Sequence, residues 1–199
     1  MINKKVIEEV EKFVFAEAKR YDAPSTFQIE ISKKKGQELA SKLNADENIV
    51  YLGTLLMDCQ LGLALKKAQY SIDFRGKLIS KHVEMSAEKA EKLLSKYSKV
   101  TKKEKENIIA CVRQHHGVDE FYSLEAEICC NADCYRFASV EGFLGGLRFT
   151  RDMEFSDLIE LLSAKADEKW DALSLTSCKK ELEPQYKTIK KLLALYQGG

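Results

Sequence analysis

The chain is predicted to be all-α, and three observations carry that expectation. Only two prolines and ten glycines interrupt 199 residues. Apolar residues recur every three or four positions over long stretches, the spacing of one helix face. Ser, Thr or Asp residues stand just ahead of several such stretches, where a side-chain oxygen can accept from the free N–H groups of a first helical turn.

The elements follow in order. Residues 2–20 carry Ile2, Val6, Val10, Phe13, Val14 and Ala18, a helical stripe. "DAPST" at 22–26 stops that helix and offers Ser25 or Thr26 as the next N-cap, for a helix over 27–43. Asp46 caps a third helix that is expected to contain Asp58. Residues 69–81 lose the helical period and read as a loop with a short strand-like turn. Helices resume over 83–97 and 102–115, the second opened by Thr101 with Glu104 three residues on, a capping box. "HHGVDEFYS" is a connection, and Ser123 caps a helix over 124–138. Residues 139–155, with Gly142, Gly145 and Gly146, read as an irregular excursion. From about 156 the chain forms two or three helices, with a boundary near Glu183 because Pro184 suits a first turn.

Composition narrows the function. Lys and Arg number 32 against 31 Asp and Glu, so no global field recruits DNA, RNA or a membrane surface. The start "MINKKVIEEVEKF" lacks the apolar core of a signal peptide, and no charge-free apolar run reaches spanning length. Six cysteines without a secretory signal point to reduced thiols and a cytoplasmic setting. Cys129, Cys130 and Cys134 in "CCNADC" lack the spacing of a thiolate metal site and read as small core residues. No phosphate loop is present, since "GFLGG" at 142–146 lacks the Lys and the preceding strand. Trp170 reads as an apolar anchor for the C-terminal helices, with a homodimer contact as the alternative.

The chemistry lies elsewhere. Residues 50–65, "VYLGTLLMDCQLGLAL", hold one carboxylate, Asp58, in an apolar run. A carboxylate buried there requires a cation or an open face. The three histidines are His82, opening a helix, and the pair His115–His116 before Gly117. Asp133 follows "LEAEICC". Each has a plainer reading: a buried Arg for Asp58, a surface or capping role for His82, a helix C-terminus for the His pair, and Arg136 for Asp133.

Taken together, "ADENIVYLGTLLMD", "KHVEMSAEKAEKLL", "IIACVRQHHG" and "SLEAEICCNAD" resemble the HD superfamily of metal-dependent phosphohydrolases over about residues 25–138. The resemblance implies a helical bundle holding one or two metals through a first His, a His-Asp doublet, two intermediate histidines and a final Asp. Here Met57 replaces the doublet's His, and the first His is absent, Phe27 and Gln28 being the nearest residues. Asp58, His82 and His115 or His116 match the positions that serve a second metal in two-metal members. Two imidazoles and a carboxylate can hold one Zn²⁺, Fe²⁺ or Mn²⁺. Asp133 would be a fourth ligand, a supporting partner or a base, and Lys33, Lys34, Lys66, Lys67 and Lys81 are candidates to neutralise phosphate.

The expectation is therefore an HD-domain-like bundle at 25–138, with an N-terminal helix at 1–24 packed on it. Residues 139–199 belong to the same domain. As implied by the resemblance, the function is hydrolysis of a small phosphate ester or nucleotide through one divalent metal, with Asp58 and Asp133 as catalytic carboxylates. The alternative is a catalytically inactive relative that binds a small ligand or a protein partner.

Overall fold

The computed structural model describes residues 2–68, 75–149 and 154–197. Among the described residues ten helices run in order: α1 Lys4–Tyr21, α2 Thr26–Leu43, α3 Glu47–Leu56, α4 Leu61–Ala68, α5 Arg75–Leu94, α6 Lys102–Gln114, α7 Leu124–Ala138, α8 Val140–Phe149, α9 Phe155–Asp171 and α10 Thr176–Gln197. No strand occurs among the described residues.

The local signals act as their chemistry requires. Asn3, Ser25, Asp46, Thr101 and Ser123 each accept a backbone N–H at the start of α1, α2, α3, α6 and α7. Glu104 returns a bond to the Thr101 backbone, closing the capping box. The α1 stripe of Val6, Val10, Val14 and Ala18 is buried. The apolar span 47–67, long and apolar enough by composition to cross a membrane, lies mostly buried in the bundle and is divided between α3 and α4.

Helix α7 is the axis of the molecule. It packs against α2, α3, α6, α8, α9 and α10, and from Ala126 to Ala138 only Glu127 and Phe137 escape full burial. Helices can come this close because the facing residues are small: Ala126, Cys129, Cys130, Ala132 and Cys134 on α7, Gly36 on α2 and Gly53 on α3. All six cysteines are buried free thiols that fill this packing. A second apolar cluster joins α8, α9 and α10 through Phe143, Leu158, Ile159, Leu162, Ala166, Ile189 and Leu193. Trp170 anchors α9 on α10 by stacking on Tyr186, with ring centroids 4.6 Å apart.

Four expectations change. Asp58 is not in the third helix, because α3 ends at Leu56 and Asp58 occupies a turn over 57–60. Within the expected loop at 69–81, residues 69–74 lie outside the described residues, and α5 is already helical from Arg75. His82 therefore stands inside a helix rather than at its start. The excursion over 139–155 is helix α8 at 140–149, while 150–153 lie outside the described residues. Its glycines mark close approach, not irregularity: a Cβ at Gly145 would meet the Phe27 ring at 2.5 Å, and one at Gly146 would meet Leu162 at 2.6 Å. Finally, Pro184 lies within α10 and starts no helix. It sits on the exposed side, as does Lys180 four residues back, so the carbonyl that loses its helical donor faces water.

Gly142 is the tightest of these contacts, since a Cβ there would overlap the backbone of Tyr135 and Arg136. Gly142→Ala is expected to destabilise the fold by about 1–3 kcal/mol through overpacking. Urea unfolding should show a lower midpoint at unchanged slope, and an unchanged midpoint would refute the close approach.

Candidate metal centre

The turn at 57–60 aims Asp58 inward. The Gln60 N–H bonds to Ser86 Oγ of α5 at 3.1 Å instead of continuing the helix, and Gln60 Nε2 reaches Glu17 of α1 at 3.1 Å. Met57 and Asp58 are both buried in this turn.

The three histidines converge from α5 and the end of α6, and two of them meet Asp58. His82 Nε2 lies 2.9 Å from Asp58 Oδ1, and His115 Nε2 lies 3.5 Å from the same oxygen. His116 Nε2 is 3.4 Å from His82 Nε2. One ring nitrogen from each histidine falls within 4.8 Å of the other two, an arrangement that could hold a metal ion. His115 is the C-cap of α6, and Gly117 at φ +93 turns the chain away behind the pair.

The tautomers carry information. His115 Nδ1 lies 2.7 Å from the Val112 carbonyl and must donate to it, so Nε2 is the nitrogen turned toward Asp58. That nitrogen is fully buried and meets no hydrogen-bond partner. His116 Nδ1 has two neighbours that ask for opposite tautomers. Donation to Glu168 Oε1 at 3.0 Å leaves Nε2 with a lone pair, whereas acceptance from Lys169 Nζ at 2.8 Å would protonate Nε2. Burial, helped by His115 and Lys169, lowers the His116 pKa to about 3, so the ring is neutral at physiological pH.

Beside the histidines lies a buried chain of charges. Arg136 Nη1 donates to Asp58 Oδ2 and, at 2.8 Å, to Asp133 Oδ1. Lys169 Nζ of α9 meets Asp133 Oδ2 at 2.6 Å. The four side chains expose 8% or less of their surface. Burial pushes the Asp58 carboxyl up, but Arg136, with His115 and His82, more than reverses this and holds it well below the carboxylate range. Asp133 is likewise lowered against burial, first by Lys169 and then by Arg136. The more exposed neighbours of this group are His116, 20% exposed, and Glu168, 32% exposed, with Lys165 paired to Glu168 at 2.7 Å.

The residues singled out in sequence thus fall into two groups. His82, His115 and His116 come together, Asp58 meets His82 and His115, and Asp58 also has the buried Arg of its plainer reading. Asp133 is bound to Arg136 and Lys169 instead of joining the histidine group. Gln28 and Phe27 lie on α2, the first buried and the second against Gly145. Lys33 pairs with Glu11 and Glu30, while Lys34, Lys66, Lys67 and Lys81 are exposed. Lys169, Glu168 and Lys165 were missed. Their segment "SAKADEKWD" looks solvated, yet Leu158, Leu162, Ala166 and Lys169 keep the four- and three-residue spacing of the buried face.

No protein-family model matches the chain, and no curated protein matches it. Solved structures do. One is described as a predicted HD superfamily hydrolase from an uncultured Thermotogales bacterium. It is 17% identical, with a TM-score of 0.63, over 96% of this chain and 91% of that one. A Lactobacillus plantarum protein matches at 11% identity and a TM-score of 0.61, over 100% of this chain and 98% of its own. At these identities the likeness speaks for the fold: the chain has the all-α architecture of HD-superfamily structures.

Proposed function

We propose that the chain is an HD-type, metal-dependent phosphohydrolase. Its substrate is a small phosphate ester or nucleotide, and one divalent ion (Zn²⁺, Fe²⁺ or Mn²⁺) is held by His82, His115, His116 and Asp58. The observation that carries the reading is the meeting of three imidazoles beside a carboxylate. One ring nitrogen from each of His82, His115 and His116 lies within 4.8 Å of the other two, and His115 Nε2, buried without a hydrogen-bond partner, lies 3.5 Å from Asp58 Oδ1. A cation among these atoms would satisfy them together. The surrounding donors suit that cation, since neutral imidazoles and a carboxylate are ligands of borderline divalent ions.

Each side chain then has a task. With Val112 and Glu168 accepting at Nδ1, the Nε2 atoms of His115 and His116 would be the ones to hold an ion. Glu168 thereby selects the ligand tautomer of His116 over the one favoured by Lys169. The chemistry supplied by a bound divalent ion is polarisation of a phosphoryl oxygen and activation of water near neutral pH. Lys165, linked through Glu168 to the partly exposed His116, would offer a positive charge to a phosphoryl group there. Buried free thiols fit a reducing, cytoplasmic setting.

Metal analysis tests the reading. Protein stripped with chelator and reloaded is expected to retain about one equivalent of Zn²⁺ or Mn²⁺. His82→Ala and His116→Ala should each weaken binding by on the order of 100-fold while leaving the fold intact. These variants are sharper than Asp58→Ala, which also strips Arg136 of a partner inside the protein. A chain that takes up no ion would sink the proposal.

A panel of phosphate monoesters and nucleotides tests the activity. With any ester that is turned over, Lys165→Ala should raise KM by about tenfold with a smaller change in kcat, as for a contact made equally in ground and transition states. A loss confined to kcat would contradict this role.

The metal-free protein should also lose stability in acid. His116 stays neutral in the fold down to about pH 3 but takes up a proton near 6.5 when unfolded. The unfolded state therefore binds more protons between those values, and stability falls as pH drops through that window. The slope reaches about 1.4 kcal/mol per pH unit for this proton. Asp58 and Asp133, lowered from 3.8, add their loss below about pH 4. Urea titrations across pH 7 to 4 check this, and a flat profile between 6.5 and 4.5 would contradict it.

A further inference from the structure

Arg136 does something that the one-ion site does not require. A single nitrogen, Nη1, bridges two carboxylates that arrive from separate parts of the fold, Asp58 from the turn at 57–60 and Asp133 from α7. Lys169, from α9, binds the remaining oxygen of Asp133. In the family that this sequence resembles, Asp58 and Asp133 match the two carboxylates of the first metal position, whose two histidines are missing here. Two carboxylates bring two negative charges to a dry site. A divalent ion would neutralise both, and so do one guanidinium and one ammonium.

We propose that Arg136 and Lys169 are built-in cations that take the place of a divalent ion between Asp58 and Asp133. The proposal extends the one-ion reading above by explaining why the site would hold one ion and not two. Asp58 serves both halves, with Oδ2 given to Arg136 and Oδ1 left toward His82 and His115. Asp133 has both oxygens committed to the internal cations and acts as their counter-ion, not as a ligand.

The test counts ions as a difference between proteins. Wild-type protein and the paired variant Arg136→Met/Lys169→Met are purified in Mn²⁺, and bound Mn²⁺ is measured by elemental analysis and by electron paramagnetic resonance. The paired variant should bind one equivalent more than wild type, because two buried carboxylates without a cation recruit one. No gain in a folded variant overturns the proposal. Because the paired change removes two buried charges, Arg136→Gln is measured beside it and should show the same gain at weaker affinity.

If neither variant folds, the wild-type spectrum decides. An uncoupled Mn²⁺ signal supports the proposal, and a spin-coupled pair of ions overturns it. The wild-type count separates the two readings. Zero ions in wild type with one in the paired variant would sink the one-ion function and leave this inference standing. One ion in both proteins would do the reverse.

Discussion

Asp58, Asp133, Arg136 and Lys169 form a neutral quartet inside the protein, and the rest of the bundle is arranged so that it can exist there. Each member is buried, and each ion pair is intact. Such a network adds little net stability over an apolar core, but removing one member leaves a bare charge and costs about 3–5 kcal/mol. Its four charges come from the turn at 57–60, from α7 and from α9. The quartet therefore constrains which segments must meet, and in what register, more than it holds them together.

That constraint accounts for the composition of α7. A helix packed by neighbours on every side would ordinarily be apolar throughout. This one carries Asp133 and Arg136 and can do so only because partners reach it from both flanks. The reach is short, so the neighbours must come close, and the small residues along α7, α2 and α3 allow that approach. On the α9 side, Asn131 of α7 fixes the distance. Its side-chain oxygen accepts from the backbone of Ser174 and Leu175, which anchors the α9–α10 turn against α7 and keeps Lys169 within reach of Asp133. The α3–α4 break has the same purpose on the other flank. A continuous helix would carry Asp58 past the axis, whereas the turn pinned by Ser86 holds it against Arg136.

What was legible in the sequence was whatever depends on near neighbours. The caps at Ser25, Asp46, Thr101 and Ser123 need only the next few residues, and the α1 stripe needs only its own spacing. The convergence of Asp58 with the histidines was legible for another reason, because the order of these residues follows a shared pattern. The break after Leu56 was not, since the Ser86 hydroxyl that supports it lies 26 residues away from Gln60. The glycines of α8 misled because glycine signals both loops and close packing, and only the neighbours tell them apart. Lys169 was obscured by chemistry: a lysine among charged residues reads as a solvated face, and its counter-ion lies on another helix. Proline at 184 was misplaced because its tolerance depends on which face of α10 meets water.

The quartet also bears on which ion the proposed site would prefer. Arg136 draws charge from Asp58 through Oδ2, so the oxygen left toward the histidines belongs to a carboxylate already shared with a cation. A ligand set of three imidazoles and one weakened oxygen donor is poor for hard ions such as Mg²⁺ or Ca²⁺, which depend on several oxygen ligands. It suits Zn²⁺ and Fe²⁺, for which imidazole is a strong ligand, with Mn²⁺ weaker in the same site. The internal cations would thus do more than fill a vacant position beside the site. By taking one oxygen of Asp58, Arg136 would make the remaining ion depend on His82, His115 and His116.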